Sequence, residues 1–161
     1  VFTEPDCRPQ SNQWLKQMAR NFTPATEIVL GYSNYEKVPG WLNKKITFDT
    51  LLNSMRYLGM ALSGHPYMGT GRNLAYRKTL YYKQKGFASH LNLQRGEDDL
   101  FINETAHAHN TRVETGSDSL SLQKSTQKTA RPKYQMMCQT LHQIPKTYLT
   151  SPLFPYNINI S

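Results

Sequence analysis

The six residues EIVLGY, Glu27 to Tyr32, decide how the first half of this chain is read. Ile28, Val29 and Leu30 make an unbroken apolar run bounded by Pro24 and Gly31. The run is short and compact, so it predicts a core strand. Toward the N-terminus, Pro24 stops a short helix that Ser11 caps, with Trp14, Leu15, Met18 and Phe22 at helical spacing. Before it, Val1 to Thr3 read as the end of another buried strand, closed by Pro5. Strand, helix, strand is the alternation of an α/β fold.

Working outward in the other direction, Tyr35 to Gly40 form a loop, and a long helical pattern covers Trp41 to Ser63. Leu51, Met55, Leu58 and Leu62 give it one apolar stripe, interrupted elsewhere by Lys44, Lys45, Asp49 and Arg56. A membrane span needs ~20 mostly apolar residues, so this is an amphipathic helix, packed on a core or laid on a membrane surface. A glycine-rich loop, GHPYMGTG (Gly64 to Gly71), leads into a short strand within Arg72 to Lys78 and a helix to about Lys85. After a loop opened by Gly86 and Phe87, a helix is expected over Leu100 to His109 and a strand over Thr111 to Thr115. Ser117 to Arg131 read as a polar connection, Lys133 to His142 as a helix, and Pro145 to Ser161 as an irregular tail. Residues 117–161 are thereby set apart, as polar connection, helix and irregular tail, from 1–116, which carries the chemistry-bearing motifs.

At 161 residues, one domain with a real core is expected. A net charge of +8 and pI near 9.5 give a basic surface suited to phosphate-bearing partners. The basic residues are scattered and carry no nucleic-acid motif, so no nucleic-acid partner is expected. A mean hydropathy of −0.64 with 38% hydrophobic residues describes a polar but foldable chain. Cys7 and Cys138, the two cysteines, have no metal-ligand spacing, which fits a reduced, cytoplasmic setting. His107 and His109, two residues apart, would not face one way on a helix and read as solvated.

Three segments carry chemistry. TEPDC, Thr3 to Cys7, puts Glu4 and Asp6 next to a strand end, where two hard carboxylates suit Mg²⁺ or Mn²⁺ holding a diphosphate. In GTGRNLAYRK, Gly69 to Lys78, the glycines permit close backbone approach and Arg72, Arg77 and Lys78 offer charge to a phosphate. It matches neither the Walker pattern nor the dinucleotide fingerprint. GEDDLFI, Gly96 to Ile102, sets Glu97, Asp98 and Asp99 directly before an apolar helix. They serve either as a helix-stabilising first turn or as a carboxylate that accepts a hydroxyl proton.

The order of TEPDCRP, then MGTGRNLAYRK with KGF following, then GEDDLFI, resembles glycosyltransferase family 2, and VLGYSNYEK…FDTLLNSMRYLGMALSG is similar to a bacterial branch of it. The resemblance spans about Val1 to Val113. It implies a GT-A fold, here a mixed sheet flanked by helices whose nucleotide-binding half would precede Val1. It also implies inverting transfer from a UDP- or GDP-sugar to an acceptor hydroxyl on a glycan or lipid-linked chain, as in cell-wall or polysaccharide biosynthesis, in the cytoplasm or at the inner face of the membrane. On that reading Asp6 with Glu4 binds Mg²⁺ or Mn²⁺, and Asp98 is the catalytic base, with Asp99 one register away. Arg72, Asn73, Arg77 and Glu97 would line the donor or acceptor cleft. Glu4 stands where the family has its first aspartate, Pro5 lies inside the motif, and the family's late Gln-x-x-Arg-Trp segment has no counterpart around Gln135, Gln139 and His142. The reading from another class is a non-catalytic basic module that binds nucleic acid or an anionic membrane, or an inactive fragment.

Overall fold

A computed structural model of the chain describes residues 1–83 and 97–124. The helix expected over 133–142, the tail from Pro145, Cys138 and the loop at Gly86 lie outside the described residues. The elements run β1 (Cys7–Pro9), α1 (Trp14–Ala19), β2 (Ile28–Gly31), β3 (Ser33–Tyr35), α2 (Trp41–Leu62), β4 (Leu74–Tyr76), α3 (Lys78–Lys83), α4 (Glu97–Thr105), β5 (Thr111–Glu114) and β6 (Ser121–Gln123). The fold is mixed α/β, with two three-stranded sheets ordered β4-β2-β5 and β1-β6-β3.

The EIVLGY strand is the centre of the first sheet. β2 pairs antiparallel with β4, Leu30 opposite Leu74, and parallel with β5, Ile28 opposite Thr111. All four of its residues are buried because both faces of the sheet are covered. Ile28 and Leu30 share one cluster with Tyr57, Leu58 and Ala61 of α2 and Phe101 and Ile102 of α4. Val29 belongs to the opposite cluster with Met18, Trp14, Phe22 and Ala75, where α1 packs. Gly31 must be glycine: a Cβ there would run into the side-chain amide of Asn73. Past Tyr32 the chain passes from one sheet to the other, and β3 pairs parallel with β6 as β2 does with β5.

Four expectations need correction. Val1 and Phe2 are exposed, and Phe2 forms only an isolated bridge to Leu74, so no buried strand precedes Pro5. β1 lies after the acids instead, and it and β2 belong to different sheets, so strand-helix-strand does not close a parallel unit. The α2 stripe is reversed: of Leu51, Met55, Leu58 and Leu62, Leu58 alone is buried. The inward face is Asn43, Ile46, Thr50, Asn53, Ser54, Tyr57, Leu58 and Ala61. Hydrogen bonds set that rotation. Asn43 accepts from the Val38 amide and donates to the Glu36 carbonyl, while Tyr57 donates to the Gly31 carbonyl at 3.4 Å. Finally, residue 116 is no structural edge. β6 is the middle strand of the second sheet, with Ser121 and Gln123 buried, so residues 117–124 belong to the folded body and not to a polar connection.

Candidate active site: carboxylates joined through Arg72 and Gln123

A turn closed by the Cys7 amide on the Glu4 carbonyl, 2.9 Å, brings Glu4 and Asp6 to one side of the chain. The β1–β6 register sets Cys7 opposite Gln123. From that position the Gln123 amide donates to Glu4 Oε2 at 3.0 Å and to both Asp6 oxygens at 3.1 Å. Gln123 is 2% exposed, a buried donor set where the two carboxylates converge. Ligand atoms of Glu4, Asp6 and Cys7 lie within 4.8 Å of one another. Burial, followed by the charges of Glu4 and Asp6, pushes the Cys7 thiol up to about 11, so it stays protonated at neutral pH. The two carboxylates offer hard oxygens of the kind that could hold Mg²⁺ or Mn²⁺, and Cys7 adds a softer sulfur beside them.

Arg72 ties this cluster to the second. Its guanidinium donates to the Gln123 side-chain oxygen at 3.4 Å and lies 5.6 Å from the centre of the Tyr35 ring. Its backbone carbonyl accepts from the Thr3 hydroxyl, next to the Phe2–Leu74 bridge that pins the N-terminal stretch alongside the glycine-rich segment. The positive charge of Arg72 favours the ionised forms of both Cys7 and Asp99. One side chain thus connects the acids of TEPDC to those of GEDD.

The GEDD acids form the first turn of α4, which begins at Glu97. The Glu97 side chain lies outside what is described. Burial, and after it the neighbouring Asp98 charge, raises the Asp99 carboxyl to about 7, against the opposing pull of Arg72 and of the Gly69 amide. Asp98 sits against the Gly71 backbone, where a Cβ would collide with its carboxylate. Across Asp98 is Tyr76, whose hydroxyl is pushed up to about 12 by burial, by Asp98 and by Tyr81. The glycine-rich segment is therefore needed for close approach, though what approaches in this structure is a carboxylate of the same chain.

Two residues expected in the cleft, Asn73 and Arg77, bond to main-chain carbonyls. Asn73, 1% exposed, donates to the Tyr32 and Ser119 carbonyls at 2.7 Å and accepts from the Trp14 indole at 3.0 Å, linking both sheets to α1. Arg77 donates to the carbonyls of Thr26 and Thr23 and covers the Phe22 ring. An open depression of about 310 Å³ lined by Phe22, Tyr76, Arg77, Lys78 and Thr79 contains none of the acids. The chemistry is better located by the carboxylates than by that hollow. His107 and His109 are exposed after α4, as their spacing predicts.

The participant that sequence reasoning missed is Gln123. Its strand, Ser121-Leu122-Gln123, buries its polar residues and leaves leucine half-exposed, the reverse of the pattern that marks a strand. No protein-family model, curated protein or solved structure matches the chain.

Proposed function

We propose that this chain transfers a sugar from a nucleotide-sugar donor to an acceptor hydroxyl, as an inverting glycosyltransferase of the family-2 kind on a GT-A framework. The observation that carries the reading is the glycine-rich segment standing next to both acid motifs, with Gly71 against Asp98 and Arg72 bonded to Gln123 on the TEPDC side while its charge acts on Asp99. A scattered basic binding surface gives no reason for these acids to gather.

In this reading Asp6 and Glu4 hold Mg²⁺ or Mn²⁺, which when bound neutralises the diphosphate leaving group. Gln123 fixes the spacing of the two carboxylates, and Arg72 faces the phosphates as a second positive charge. The acceptor oxygen attacks the anomeric carbon, the bond from that carbon to the diphosphate oxygen breaks, and the diphosphate leaves with the electron pair. The hydroxyl proton passes to Asp98, the assigned base, or to Asp99 one register on. A single displacement inverts the anomeric centre. Asp99, lifted to about 7, has the affinity suited to taking and releasing a proton near neutrality.

Calorimetric titration of UDP and of GDP, with and without Mn²⁺, tests the donor site. Mn²⁺-dependent binding of one nucleotide that Asp6→Ala abolishes is expected. Absence of binding, or binding indifferent to Mn²⁺ and to Asp6→Ala, overturns the assignment. Transfer that persists in both Asp98→Asn and Asp99→Asn would remove the base.

A further inference from the structure

α2 turns its largest apolar side chains away from the protein. Trp41, Phe48, Met55 and Leu62 stand seven residues apart and are 80%, 58%, 63% and 72% exposed. Seven residues is close to two helical turns, so these four form one row along a helix about 33 Å long. Leu51 and Leu52 widen the row, both 39% exposed. The opposite face, with Asn43, Thr50, Asn53 and Ser54, is the buried one. Exposed apolar area of this extent on one element marks an interaction surface.

Charge selects the occupant. Lys44 and Lys45 flank the row beside Trp41, and Arg56 stands at its edge near Met55, all exposed. Asp49, the acid of this helix, is bridged to Lys45 at 3.1 Å. An aromatic residue with lysines at one end of an apolar row, on a chain of net charge +8, complements an anionic lipid interface. Pairing with a second copy is less suited. A two-helix seam needs a second apolar row three residues on; here that row is Lys44, Leu51 and Leu58, and Leu58 is buried in the protein's own core. No helix among the described residues is long and apolar enough to cross a membrane.

We propose that α2 lies in the plane of an anionic membrane, with Trp41, Phe48, Leu52, Met55 and Leu62 in the headgroup–acyl boundary and Lys44, Lys45 and Arg56 against the headgroups. This stands apart from the donor site and needs no sugar chemistry. The test is flotation of the whole chain with vesicles of phosphatidylcholine, pure or containing about one-third phosphatidylserine. Binding to the anionic vesicles is expected, weakened by added salt. A triple Trp41→Ser, Phe48→Ser, Met55→Ser variant should lose it by about tenfold or more. These side chains are exposed, so circular dichroism should be unchanged. If the triple variant fails to fold, quenching of tryptophan fluorescence by bromine-labelled acyl chains decides on the unaltered chain. That quenching should fall sharply in Trp41→Phe. No partitioning, partitioning indifferent to the triple change, or self-association in sedimentation equilibrium that the triple change abolishes without vesicle binding would overturn the proposal.

Discussion

Asp99 makes the sharpest test of the carboxylate cluster, because its environment sets both the sign and the size of an effect. Its carboxyl is raised from 3.8 to about 7, first by burial and then by Asp98. Between those values the folded chain holds a proton that the unfolded chain has released, so the contribution of this group to stability falls as pH rises through that window and levels off above about 7. A shift of about three units at about 1.4 kcal/mol each gives a ceiling of about 4 kcal/mol. That is a large share of the ~5–15 kcal/mol that separates folded from unfolded domains. Asp99→Asn removes the ionisation and keeps an oxygen for the Gly69 amide. Urea denaturation of both chains should give similar stabilities at about pH 4 and a variant more stable by as much as about 4 kcal/mol at about pH 8. A difference that stays flat across this range would refute the reasoning, since it would mean that Asp99 is hydrated or neutralised without cost.

Three further outcomes follow from neighbouring contacts. Gln123→Leu removes the donor shared by Glu4 and Asp6 and leaves their charges facing each other; a loss of about 1–3 kcal/mol is expected, and Mn²⁺ should restore more thermal stability to the variant than to the unaltered chain. Gly71→Ala places a methyl group where the Asp98 carboxylate lies; a loss of about 1–3 kcal/mol in denaturant titration is expected, reduced when combined with Asp98→Gly. Glu114 is buried, which alone would raise its carboxyl, but Asn21, the Gly116 amide and Arg20 outweigh burial and hold it below its usual value. Its stabilisation is therefore present above about pH 4.5 and lost as pH falls through the lowered value, a dependence that Glu114→Gln should flatten in acid melts.

What could be read from the sequence was what is written in apolar contrast. EIVLGY announced a core strand, and the structure covers that strand on both faces. The extent of α2 was equally legible, but its rotation was not, because the rule that apolar residues turn inward fails for Leu51, Met55 and Leu62. There the interior is held by Asn43, Thr50, Asn53 and Ser54 around Ile46 and Tyr57, and Leu51 and Leu62 face outward. β6 was illegible for a related reason: its place in the sheet rests on main-chain pairing and on buried Ser121 and Gln123, and no hydrophobic period survives to report it. Glu4, Asp6, Arg72, Asp98 and Asp99 stood out by their chemistry, but nothing in the pattern told that Asn73 and Arg77, from the same loop, would bond to main-chain carbonyls. A residue's type names the bonds it is able to make; only the fold decides which partner arrives first.

The distribution of charge adds a constraint on any anionic substrate. Lysine and arginine outnumber acids 19 to 11 in the chain, yet Glu4 and Asp6 converge on one amide, that of Gln123, and Asp98 raises the carboxyl of its neighbour Asp99. A basic surface draws phosphates from solution, but Glu4 and Asp6 would repel them at close range. Gln123 moderates the mutual repulsion of the pair by donating to both, although an amide brings no net charge. On the proposed function, a divalent cation bound at the carboxylates would reconcile long-range attraction with short-range repulsion and turn the cluster from a barrier into a seat for a diphosphate. On that argument nucleotide affinity should rise with Mn²⁺ in the chain that has Asp6, and Asp6→Asn should bind nucleotide better than the unaltered chain when chelator is present. The reversal of order between the two conditions is the signature of the carboxylate's sign, and a merely structural Asp6 would not produce it.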